Sequence, residues 1–87
     1  MTKEDYIKSK DFMKLGQAIA HENWQVAGMT VQRMTKQAAD ADIHDFDRQF
    51  MMIKKCIMGR KKTEAQNALA AVVAKRVQMI NGMNEGE

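Results

Sequence analysis

The feature that most constrains this chain is a set of apolar residues spaced alternately three and four positions apart, with no proline to interrupt them. Trp24, Ala27, Val31, Met34 and Ala38 keep that spacing, as do Ile43, Phe46, Phe50, Ile53 and Ile57. At 3.6 residues per turn such residues share one helix face, whereas a half-buried strand needs alternation at every second position. No segment alternates in that way between turn residues, so the chain is read as all-α. Its 87 residues allow one domain with a modest core, and its single cysteine, Cys56, cannot close an intrachain disulfide. At 45% hydrophobic and 29% charged residues, the composition is that of a folded rather than a disordered chain.

Cap and stop residues divide the pattern into helices at about 3–21, 24–39, 43–58 and 64–81. They form a single domain over 1–82, followed by a frayed tail at 83–87. Thr2 with Asp5 starts the first helix, whose seam is Phe12, Leu15 and Ile19. Asn23 caps the second. Asp42 caps the third, and Asp45 in its first turn suits the positive end of the helix dipole. Gly59 stops that helix, and Thr63 with Gln66 opens the fourth as a capping box. The fourth presents Ala65, Ala68, Leu69, Val72, Val73, Val77 and Ile80 on a broad apolar face, and Gly82 closes it. Short links force neighbouring helices antiparallel. The expected architecture is two antiparallel αα-hairpins in a small four-helix bundle or a stacked hairpin pair.

The two hairpins repeat in residue class and spacing at an offset of 38, from Phe12 to Phe50. Phe12, Leu15 and Ile19 align with Phe50, Ile53 and Ile57, and Ala27, Val31 and Met34 align with Ala65, Leu69 and Val72. Phe12-x-x-Leu15-Gly16-x-x-Ile19, followed by Ala27, Val31 and Met34, resembles a tetratricopeptide-type repeat over residues 9–36. A poorer copy spans 47–74, with Lys54 in place of the glycine and without the closing proline. The resemblance implies a protein-binding scaffold without catalysis.

Four sets of residues are candidates for chemistry or contact. Asp40, Asp42, His44 and Asp47 could hold a divalent cation, but the glycine and terminal glutamate of a calcium loop are missing. The set reads first as a carboxylate-rich helix start. His21 and His44 read as exposed helix-end residues, and Cys56, beside the seam residue Ile57, as a structural thiol. Lys54, Lys55, Arg60, Lys61 and Lys62 lie in a stretch without acidic residues and could contact phosphates. Of the nine methionines, Met13, Met29, Met51 and Met52 project away from the seams, as does Ile7. Flexible thioethers suit adaptable contact surfaces, and so small a domain cannot cover them all.

A net charge of +3 is short of what a dedicated nucleic-acid binder carries. No signal-like apolar run or catalytic motif is present, and no cofactor is implied. The sequence is therefore read as a noncatalytic interaction module, cytoplasmic and homodimeric, with a nucleic-acid accessory protein as the alternative. No membrane partner is expected.

Overall fold

The computed structural model describes residues 2–85, with side chains through residue 83. Among them are five helices and no strand: α1 (Lys3–Ile7), α2 (Asp11–Ala20), α3 (Trp24–Asp40), α4 (Asp47–Met58) and α5 (Lys62–Glu85). The principal packing pairs form a ring, α2 on α3, α3 on α4, α4 on α5 and α5 on α2. Short α1 lies against α3 and α5. The fold is thus an all-α bundle of two hairpins, α2–α3 and α4–α5, closed by the α2–α5 contact.

The expected first helix is two helices, and the reason is packing. In one continuous helix Tyr6 and Ile7 would point roughly 120–140° away from Phe12. The break over Lys8–Lys10 turns both inward, and Tyr6 and Ile7 are fully buried. Ile7 is therefore a core residue, contrary to the expectation from spacing. The Ser9 hydroxyl accepts from the Asp11 amide at 3.2 Å and so starts α2. Tyr6 forms a ring cluster with Phe12 and Phe46, and Phe46 also meets Phe50. The Tyr6 hydroxyl donates to the Met34 carbonyl at 3.0 Å, satisfying a buried polar group. Burial, followed by the charges of Asp11 and Asp47, holds the Tyr6 phenol above its usual pKa range.

Arg76 secures α1 from the far end of the chain. Its Nε donates to the Ile7 carbonyl at the end of α1, and its guanidinium lies 4.9 Å from the centre of the Phe12 ring. Arg33 pairs with both oxygens of the buried Asp11 at 2.9 and 3.1 Å, tying the start of α2 to α3.

Three helices end in the same way. The amides of Asn23, Ile43 and Lys61 each donate at 2.8 Å to carbonyls five residues back, those of Ala18, Ala38 and Cys56. The residue before each is left-handed: Glu22 at φ 56°, Asp42 at 57° and Arg60 at 53°. These are Schellman turns, in which glycine usually fills the left-handed position. Helix α4 ends at Met58 with Gly59 as its C-cap, as expected, but Gly59 sits at φ −87° and Arg60 takes the left-handed conformation.

Other expected boundaries shift as well. Asp42 ends the α3 turn rather than capping the next helix, and α4 begins only at Asp47. Ile43 and Phe46 are buried from the intervening loop. Helix α5 starts at Lys62, with the Lys61 carbonyl accepting from Ala65, so Thr63 lies inside the helix and does not cap it. It continues through Gly82 to Glu85, and Met83 packs on the core. The tail expected from residue 83 is helical to Glu85, while Gly86 and Glu87 lie outside the described residues. Asn23 and Thr2 cap as expected, accepting from the amides of Val26 and Asp5.

The burial pattern repeats at the 38-residue offset. Phe12, Leu15, Ile19, Ala27, Val31 and Met34 are all buried, and so are their counterparts Phe50, Ile53, Ile57, Ala65, Leu69 and Val72.

Candidate functional site

A groove between α3 and α4 is walled by Trp24, Met29 and Met58 and floored by Gly28 and Ile57. Trp24, the only tryptophan, is the first residue of α3, follows the Asn23 cap, and is half-buried against the core. Gly28 leaves the floor bare. A Cβ there would meet Ile57 Cγ2 at 3.8 Å, an ordinary contact, so the glycine is not forced by crowding. Met58 is 86% exposed although it directly follows the buried Ile57. One residue along a helix turns about 100°, which carries Met58 out of the core stripe and onto the groove wall. Lys54 also lines this groove, half-buried.

The four methionines singled out by spacing are exposed, at 66% for Met13, 61% for Met29, 62% for Met51 and 51% for Met52. They do not form one face. Met29 belongs to the α3–α4 groove, and Met52 to a second groove between α4 and α5 with Lys55, Lys61 and Glu64. Met13 stands on α2. Met51 shares a helical row with Lys54 and Met58, three and seven residues on.

The basic residues divide in the same way. Lys54 lies on the α3 side of α4, whereas Lys55 and Lys61 lie on the α5 side, with Lys61 3.9 Å from Glu64. Arg60 occupies the left-handed turn position, and Lys62 opens α5. The five cations do not converge on one patch.

The acidic run does converge, on a histidine. His44 Nε2 lies 3.0 Å from Asp42 Oδ1, and its Nδ1 lies 3.2 Å from Asp47 Oδ2. The bond to Asp42, then that to Asp47, raises the His44 pKa. This clasp fastens the α3–α4 link, and both imidazole nitrogens are engaged. Asp40 ends α3 and takes no part in it. Among the described residues no group of three or more His, Cys, Asp or Glu side chains is placed to hold a metal ion. Cys56 is buried and His21 is the exposed cap residue of α2.

A third surface lies between α2 and α5. Gly16, Leu69, Ala70, Val73 and Ala74 line it, and Gly16 approaches Leu69 to 3.5 Å from its would-be Cβ. Val73 and Val77, expected in the core, are exposed. The α5 core stripe is narrower than its apolar sequence, because α2 and α4 cover one side only.

Among the described residues no helix is long and apolar enough to cross a membrane. No protein-family model, curated protein or solved structure matches the chain.

Proposed function

We propose that this chain is a noncatalytic protein-interaction module that pairs with a second copy of itself through the α2–α5 face. One observation carries the reading: an apolar surface continues across two helices without a charge in its α5 part. Ala70, Val73, Ala74 and Val77 are exposed along α5, and residues 65–74 contain no charged side chain. Met13, Gly16 and Ala20, spaced three and four, continue the face onto α2. The small residues Gly16, Ala70 and Ala74 let another helix approach closely. A two-fold copy brings this surface against itself without opposing like charges.

Light scattering on the eluting peak of a size-exclusion column measures the mass directly. The reading expects a dimer, and expects Val73→Glu to return it to a monomer, since an exposed position tolerates the charge in the folded monomer. A strictly monomeric unaltered chain at high concentration would remove the self-association reading.

A further inference from the structure

We propose that the α3–α4 groove binds an acidic amphipathic helix of another protein. The proposal rests on the reading of the chain as an interaction module, and not on its pairing with itself.

Charge decides the occupant. From Trp24 to Ala39 there is no acidic residue, and from Arg48 to Thr63 there is none. The helices that wall the groove carry Arg33 and Lys36 on α3 and Arg48, Lys54 and Lys55 on α4, with Lys55 on the α5 side. Arg33 is neutralised by Asp11. Lys54 lines the groove, and no carboxylate lines it. On α3 the exposed residues Gln25, Met29 and Gln32 line the other wall at helical spacing, and Lys36 lies one turn further along the same row. A second copy docking here about a two-fold axis would bring the same groove lining, which offers Lys54 no carboxylate. A partner with carboxylates beside an apolar stripe meets complementary charge instead.

Shape selects a helix. Trp24, Met29 and Met58 surround a floor that Gly28 keeps low, so large apolar side chains at i, i+3 or i+4, and i+7 of a partner can seat there. Glycine inside a helix costs about 1 kcal/mol relative to alanine, and nothing in the local packing forbids alanine. The open floor is what the glycine supplies. Exposed methionines, flexible and polarizable, adapt to such anchors.

Trp24 reports on the groove, because it is the only tryptophan in the chain. The experiment titrates the protein with a synthetic peptide of about 16 residues, some four turns of helix. It carries leucines at helical spacing flanked by glutamates. A second peptide replaces every glutamate with lysine. The acidic peptide is expected to give a saturable shift of Trp24 emission. Lys54→Glu should weaken it about tenfold, and Met58→Asp, at a position already exposed, should abolish it. Equal affinity for the lysine peptide, or no Trp24 response to the acidic one, overturns the proposal. So does a Trp24 shift with vesicles of equimolar phosphatidylcholine and phosphatidylglycerol in place of a peptide response, which would make the groove a membrane contact. Mass measured in parallel separates the two readings. A dimer with a silent Trp24 removes only the groove proposal, and a monomer that saturates with acidic peptide removes only self-association.

Discussion

A left-handed backbone conformation costs an L-residue with a Cβ about 1–2 kcal/mol. Glu22, Asp42 and Arg60 all adopt it, and among the described residues no glycine does. Glycine has no such penalty but loses more entropy on folding, so the net gain from substitution is smaller than the strain removed. Glu22→Gly and Arg60→Gly are each expected to stabilise the fold by about 0.5–1 kcal/mol, seen as a higher urea midpoint. A lower midpoint in either variant would show that the original side chain holds its turn by a contact worth more than the strain. Asp42 differs, because its carboxylate engages His44. The raised His44 pKa means that the folded state holds this proton more tightly than the unfolded chain. Its contribution is therefore fully present below about pH 6.5 and is lost as pH rises through the folded-state value. Proton NMR should show His44 titrating above about 6.5, and Asp42→Asn should bring it down. A wild-type His44 that titrates at the ordinary value would disprove the clasp.

At the scale of elements, α1 is the part most dependent on others. A helix of five residues cannot stand by itself. It is held by two buried side chains, Tyr6 and Ile7, and by Arg76, which caps the Ile7 carbonyl and covers Phe12. Arg76→Met keeps the apolar stem but removes both polar contacts, and should cost about 1–2 kcal/mol. The amides of α1 should then exchange with solvent faster than those of α3, while a uniform loss of protection along the chain would contradict a local role. This arrangement also shows where the sequence was legible. The seams of α2, α3 and α4 could be read because 3.6-residue periodicity is a property of the chain itself, and every seam residue from Ala27 to Ala38 and from Ile43 to Ile57 is buried. Asn23 was readable because its cap chemistry is local. The break before α2 was not, since Lys8–Lys10 contains neither glycine nor proline and only the long-range demand to bury Tyr6 and Ile7 creates it. The ends of α2, α3 and α4 at Ala20, Asp40 and Met58 fall within one residue of those expected, whereas the left-handed positions Glu22, Asp42 and Arg60 were hidden because residues other than glycine fill them. Met58 carried a usable signal, one residue past a seam position, whereas the exposure of Val73 and Val77 depends on which side of α5 its neighbours cover.

For the whole molecule, the ring of four helices leaves two unlike surfaces on different seams. The α2–α5 face is apolar, and its α5 strip between Ala65 and Ala74 is uncharged, whereas the α3–α4 groove is lined by apolar and amide side chains together with Lys54 and no carboxylate. The two proposed contacts therefore respond oppositely to ionic strength. The screening length falls from about 30 Å at 0.01 M salt to about 3 Å at 1 M, which weakens the attraction between an exposed lysine and a carboxylate while leaving apolar burial intact. Between those limits the dimer mass should stay constant, and dilution rather than salt should dissociate it. Affinity for the acidic peptide should fall by about tenfold or more across the same range. The two responses are separable in one sample, because light scattering reads the first and Trp24 emission the second. A dimer that dissociates as salt rises would show that opposite charges hold the self-contact, and would remove the uncharged α5 strip as its basis. Peptide affinity independent of salt would mean that Lys54 and Lys36 take no part in recognition and that the groove selects its partner by apolar shape alone.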